Sequence, residues 1–311
     1  MNSEDLVIVE ALDDGTLYAA PSLIQEMFTY PYLEDAFLLV SYDCLGNPTG
    51  YIPVGINNDS KFMSYIPAIP PSAPVCPTYT PGATNVLRSI EKLVSGDYIY
   101  FDVDVVANTE LSTQEETASA ICLPLEKYLQ HLSSSRRKDI RRKLKQSSQL
   151  NVEAGCLEDV LAAWPWMKAV WQRRNQYDID HVNRVLSWLN VIEQSGRGCL
   201  KIDKYMLNGK MVGVNCCVLH YFHGTLHCDD YLTWFDAKHA SGLGIVSAVN
   251  NLSNPAYQGA RYNLGLPGFY GKTFDGHEYK WDVIPKSLRL TQSIVNIKLG
   301  NNAGEVSFDC I

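Results

Sequence analysis

Residues His239-Ala240-Ser241-Gly242-Leu243-Gly244 stand between YLTWF, which reads as strand, and IVSAVNNL, which reads as helix. Glycines at 242 and 244 let backbone amides approach a ligand with no Cβ in the way. A following helix would aim free N–H groups and its positive dipole end at the same point. A pyrophosphate fits such a turn, and the alternative is a plain strand-to-helix connection. A second group suits the same ligand: Arg136, Arg137, Lys138, Arg141, Arg142, Lys143 and Lys145 fall within ten positions, opposed only by Asp139. In a chain of net charge -8 this concentration reads either as a phosphate site or as a solvated helix face. A third group lies on CCVLHYFHGTLHCDD. With His223-Gly224 as a two-residue turn, His220 faces His227 across the ladder, and Cys216 and Asp229 share their face. A general base, His227 or Asp229, is favoured over a metal site as the use of that face, and packed or solvated histidines are the default reading. A metal site there is conceivable, but no metal is expected.

The elements that must position these groups follow from periodicity. Before residue 120, β-like runs such as FLLVSY (37–42) and YIYFDVDVV (98–106) alternate with polar turns, and SYDCLGNPTGYIPVGI reads as strand, turn and strand. The proline-rich stretch 66–82 is neither helix nor central strand. TNVLRSIEKLVSG (84–96) has helical spacing with Thr84 as N-cap and Gly96 as stop. From 123 to 150 helix formers dominate, and Ile140 and Leu144, four apart, give the basic helix one buried stripe. Residues 158–194 read as two helices, with Pro165 near the start or a kink of the first. Residues 201–235 read as three strands joined at Asn208-Gly209 and His223-Gly224. Antiparallel hairpins before the glycine turn argue against a dinucleotide-binding βαβ unit. A further strand is expected from Tyr262 to Leu266, and final strands or a helix over 278–299.

Composition bounds the rest. With 46% of 311 residues apolar, the chain can bury one or two domain cores. The acidic N-terminus lacks a positive region followed by an apolar run, and no apolar stretch approaches bilayer length. A cytoplasmic location is therefore the expectation. Nine cysteines at irregular spacings, with no CxxC pair, argue against a disulfide framework or a zinc knuckle. The net charge disfavours broad nucleic-acid binding.

His239 to Gly244 resembles the turn of GNAT acyltransferases, in which glutamine or arginine, two residues, glycine, one residue and glycine or alanine precede a helix. Backbone amides there hold the pyrophosphate of acyl-coenzyme A. In this chain histidine takes the lead position. The wider pattern resembles the Fem-like branch with tandem GNAT domains, in SSSRRKDIRRKLKQ, in LNGKMVGVNCCVLHYFHGTLH, in the small-residue turn and in the late pair Tyr279-Lys280. The likeness covers roughly 123–285. It implies an α+β fold of two GNAT-like domains, with mixed, mostly antiparallel sheets flanked by helices. The divergent first domain would span 1–122 and the transferase domain 123–311, with the basic helix (134–148) at the junction. Where the branch commonly carries an acidic residue before the Tyr-Lys pair, this chain has Asn263.

On that resemblance the chain is expected to be an N-acyltransferase moving an acyl group from acetyl-coenzyme A or a related acyl-CoA thioester to an amine. His239, Ser241, Gly242, Leu243 and Gly244 would bind the carrier, and Arg137, Arg141, Arg142 and Phe269 a phosphate or the substrate. Lys280 would stabilise developing negative charge, Tyr279 or Tyr270 would protonate the leaving thiolate, and His227 or Asp229 would take the amine's proton. The loop 266–276, with Phe269, Tyr270 and Phe274 among three glycines, would cover a substrate or serve as a connector. Two other readings stay open: aminoacyl transfer from aminoacyl-tRNA, which would call for a broader basic surface, and an inactive GNAT-like module that binds a ligand or protein.

Overall fold

The computed structural model describes residues 1, 3–29, 33–57, 62–63, 80–82, 85–86, 115–173, 181–263 and 277–281. The expected strand at 98–106, the helix at 84–96 apart from Asn85 and Val86, the loop at 266–276 and nearly all of the proline-rich stretch lie outside them. The chain divides into two compact units. One comprises Met1–Ala68, Val75–Glu115 and Tyr279–Ile311, and the other Ile69–Pro74 and Glu116–Glu278.

The first unit opens with helices α1 (Ser3–Ala11) and α2 (Pro21–Met27). Pro21 occupies the first turn of α2, where a missing N–H costs nothing. A three-stranded antiparallel sheet follows, of β1 (Leu33–Tyr42), β2 (Pro48–Asn57) and β3 (Phe62–Met63), in sequence order. The β1–β2 connection is the turn expected from its residues. Asp43 Oδ1 accepts from the amides of Leu45 and Asn47, each at 2.8 Å, and Gly46 adopts φ +82°.

The second unit is built on a sheet of order β4-β9-β8-β7-β6-β5. Its strands are β4 (Glu115–Ile121), β5 (Asn151–Ala154), β6 (Gly198–Leu207), β7 (Lys210–Phe222), β8 (Thr225–Phe235) and β9 (Arg261–Asn263). The last strand of the chain, β10 (His277–Trp281), has its first two residues in this unit and its last three in the first. The sheet thus takes in β4, upstream of residue 123. Both hairpin turns form as their residues dictate: Asn208-Gly209 has φ 50° and 75°, and His223-Gly224 has φ 45° and 78°. Two left-handed residues in succession match the twist of antiparallel strands.

Among the described residues this unit has the helices α3 (Leu125–Gln130), α4 (Ser134–Gln146), α5 (Leu157–Arg173), α6 (His181–Gln194) and α7 (Leu243–Leu252). Pro165 lies in the interior of α5, nine residues in, so the helix starts well before it. On one face of the sheet α5 packs on β7 and β8, with Trp164 against Trp234 at 5.4 Å between ring centroids. Trp188 of α6 donates through Nε1 to the hydroxyl of Tyr231, 3.1 Å away. On the other face α4 lies along α7. Ile140 joins Cys217, Cys228, Ile245, Val249 and Tyr262 in one core, and Leu144 packs beside Leu243 and Val246. The buried stripe of the basic helix is therefore the expected one. One arrangement differs from the hairpin reading: β8 and β9 pair in parallel, His227 to Arg261 and Asp229 to Asn263. With α7 between them they make a βαβ crossover, because a helix of this length returns the chain to the start of the sheet. The described residues are a mixed α+β structure with mostly antiparallel pairing.

Candidate functional site

Gly242 is the residue that starts α7. It sits at φ +85° as the N-cap, a conformation that costs a side-chain-bearing residue about 1–2 kcal/mol. Its carbonyl accepts from Ile245 and Val246, while the amides of Ser241, Gly242 and Gly244 have no acceptor among the described residues. The helix is pressed onto the sheet at this end because Gly213 of β7 has no side chain. A Cβ there would stand 2.2 Å from Leu243 Cδ2. The turn before the helix is held by Asp236: its carbonyl accepts from His239 and Ala240, and its carboxylate from the Lys238 amide at 2.9 Å and from His239 Nδ1 at 2.7 Å. The hydrogen bond from His239 and the one from the Lys238 amide hold the Asp236 carboxyl below the usual range. His239, the unusual lead residue, is thus a brace for the turn, with 58% of its side chain exposed.

The basic helix reaches this point through a single side chain. Lys143, one turn beyond Ile140, lays its methylenes over Gly242: Cδ, Cγ and Cε are 3.5, 3.6 and 3.7 Å from where a Cβ of residue 242 would stand. Its ammonium is 3.0 Å from Asp139, and only 16% of the side chain is exposed. The methylenes meet the helix start, and the ammonium has Asp139 as its partner. The arginines singled out from the sequence have other neighbours. Arg141 pairs with Glu126 at 2.8 Å and Arg142 with Asp139 at 2.6 Å, both more than half exposed. Arg137 is half-buried on the same helix. Sequence reasoning passed over Lys143 as one of seven. The available signal was its position three residues after Ile140, on the edge of the buried stripe.

Beyond Asp236 the chain lines a groove of about 710 Å³, enclosed by Pro165, Trp166, Ala169 and Val170 of α5 and by Phe235, Asp236, Ala237 and Lys238. This is within the size range of small-molecule sites, and two of its residues belong to the turn that leads to Gly242.

The β7–β8 hairpin has the register its turn implies, His220 opposite His227 and Val218 opposite Asp229. His220 Nε2 and Asp229 Oδ2 are 2.9 Å apart, with both side chains fully enclosed. His227 stacks at 5.3 Å from His220 and is 2% exposed. Burial pushes His227 down to about 4, more than the neighbouring Asp229 raises it. A bulge between Cys216 and Cys217 makes Tyr231 the extra residue of β8, and Cys216 falls opposite Leu232, outside the His-Asp group. Alternation puts His227 and Asp229 on the face away from α7. Enclosed there, they are remote from the turn at 242.

The opposite face of the same strands carries a buried polar network that the sequence did not announce. Asn251 of α7 donates through Nδ2 to Asn215 Oδ1 at 3.0 Å, and its own Oδ1 accepts from Lys201 Nζ at 2.8 Å. Asn215 donates to Asp230 Oδ1 at 2.8 Å, Tyr262 donates to Asp230 Oδ2 at 2.8 Å, and Lys201 also pairs with Asp203. Burial pushes the Asp230 carboxyl up to about 6, against the lowering effect of the Tyr262 and Asn215 hydrogen bonds. Tyr279 and Lys280 lie on β10. Tyr270 and Phe269 lie outside the described residues.

No protein family matches the chain, and no curated protein does. Among solved structures, the chain is similar to the C-terminal domain of a putative lysylphosphatidylglycerol synthetase from Agrobacterium fabrum, with TM-score 0.47, 13% identity, and 96% of this chain and 97% of that one covered. FemX also matches with TM-score 0.47, at 10% identity over 94% of this chain and 98% of its own. A conserved protein of unknown function from Bacteroides thetaiotaomicron matches with TM-score 0.47 and 11% identity, covering 89% and 94%.

Proposed function

We propose that the chain is an N-acyltransferase that takes its acyl group from a coenzyme A thioester, and that the N-terminus of α7 with Lys143 is its phosphate cradle. The observation that carries this reading is the placement of Lys143 over Gly242. A lysine from a different helix, with its stem over the helix start and its ammonium now on Asp139, could turn that ammonium to an anion bound at the free amides. The pyrophosphate would meet the amides of Gly242 and Gly244 and the Lys143 ammonium, and the groove beside α5 would take the acyl-bearing arm.

In the transfer itself a neutral amine attacks the thioester carbonyl, a C–N bond forms, the C–S bond breaks, and the thiolate leaves with a proton. The resemblance to Fem-like enzymes assigns Lys280 to the developing charge and Tyr279 to the leaving thiolate. His227 and Asp229 receive no part in it, since a base must reach the amine and both are enclosed.

The test is a thermal-shift titration of the full chain with acetyl-coenzyme A beside Lys143→Glu. Concentration-dependent stabilisation is expected in the parent and at least a tenfold weaker response in the variant, about 1.4 kcal/mol. Circular dichroism of the variant should be unchanged, because Lys143 sits on the helix surface. Equal responses in the two proteins would remove the cradle.

A further inference from the structure

We infer that His220, His227 and Asp229 form a binding site for one first-row divalent transition metal, of the class of Zn²⁺. One ligand atom from each residue lies within 4.8 Å of the others, and all three residues are buried. They stand on two paired strands fixed by the His223-Gly224 turn, so their backbones are held in register before any ion arrives. Two imidazole nitrogens and one carboxylate oxygen are borderline ligands that suit such ions and poorly suit Mg²⁺ or Ca²⁺.

The geometry is within reach. Tetrahedral zinc with bonds of about 2.0–2.2 Å needs its ligand atoms roughly 3.4 Å apart. His220 Nε2 and Asp229 Oδ2 are hydrogen-bonded to each other at 2.9 Å, and this contact must open by about half an ångström for an ion to stand between them. His227, stacked beside His220 with its ring tilted by 37°, has to rotate by about an ångström at its nitrogen to join them. Electrostatics sets the balance: Asp229 contributes the negative charge, while Arg261, paired with His227 across β8 and β9, opposes the ion. Binding is therefore weaker than in an all-thiolate centre, and exchange is slow because the ion must enter a closed core. Phe222, edge-on to His227 at 5.9 Å, adds an apolar wall. The site lies on the sheet face away from α7, so it stands whether or not the cradle takes an acyl carrier. Its role is to clamp the end of the hairpin.

The full chain, stripped with EDTA and dialysed, would be titrated with ZnCl₂ and followed by thermal unfolding and metal analysis. It would also be loaded with Co²⁺ for visible spectroscopy. Expected are about one zinc per chain, a saturable rise in Tm, and the intense d–d absorption of four- or five-coordinate cobalt without a thiolate charge-transfer band. His227→Gln should keep the metal-free Tm of the parent and lose the zinc-dependent rise. A cobalt spectrum like that of the hydrated ion, a thiolate band, or a parent Tm indifferent to zinc would overturn the inference. So would an unchanged zinc response in His227→Gln. If that variant does not fold, the cobalt spectrum of the parent decides alone.

Discussion

Asn251 shows how much stability one buried polar side chain can control. Its amide group serves Asn215 and Lys201 at once, so truncation takes the amide donor from the buried Asn215 carbonyl and leaves Lys201 to Asp203 alone. Asn251→Ala is expected to lower unfolding free energy by about 2–3 kcal/mol, the cost of unsatisfied buried polar groups. Asn190→Ala, at an exposed helical position, should change it by less than about 0.5 kcal/mol. Urea titration of both variants checks the contrast, and similar small losses would mean that the network contributes little. At this scale the sequence was legible where contacts are set by a nearby turn. His220 opposite His227 follows from two residues, His223 and Gly224. The Asn215–Asn251 contact spans 36 positions and two element types. Its only trace was a polar residue inside VGVNCCVL and another inside the apolar IVSAVNNL. Lys143 was hidden differently, because a run of seven cations does not reveal which one a helix face will turn inward.

Between elements, the feature that matters most is the close approach of α7 to β7. Helix and strand touch at Gly213, where a Cβ would overlap Leu243 Cδ2 and come within 3.1 Å of Phe235 Cβ. Gly213→Val must push the first turn of α7 away from the sheet. The expected cost is about 1–3 kcal/mol, as for other overpacked cores, with a weaker thermal response to acetyl-coenzyme A because the cradle is that same turn. A destabilised variant with parental carrier response would separate the helix start from the binding site. Periodicity and turn residues made most of these elements readable: both hairpins, the basic helix with its Ile140–Leu144 stripe, and the pair of helices over 158–194. The parallel pairing of β8 with β9 was not readable, because three antiparallel strands in a row set a local pattern and only the fold of α7 back over the sheet reverses it. Pro165 does not mark the helix start, since a proline inside a long helix removes one hydrogen bond without ending the helix when packing holds both sides.

At the scale of the whole molecule, charge distinguishes a small anionic carrier from a nucleic acid. The chain is acidic overall, net -8, and its long-range field repels polyanions. The basic run of α4 attracts them, and there Glu126 and Asp139 already engage Arg141 and Arg142. Salt screens the long-range repulsion within a Debye length of about 10 Å at 0.1 M, and leaves the half-buried Lys143 contact less affected. Acetyl-coenzyme A, with few phosphates near one lysine and one helix end, should therefore lose affinity with a slope of about -1 to -2 in log K against log salt. A tRNA held by the seven-residue basic cluster would show a slope several times steeper, roughly -0.7 to -0.9 for each phosphate neutralised. Measuring both ligands across one salt series makes the distinction directly. The expected result is a shallow dependence for acetyl-coenzyme A and no tRNA binding above 0.1 M salt, about the level at which screening is substantial. Tight tRNA binding with a steep slope, and no response to acetyl-coenzyme A, would replace the thioester by an aminoacyl ester as the donor. The same cradle would then hold a phosphate of the tRNA backbone, and the groove beside α5 would take the aminoacyl end in place of the acyl-bearing arm.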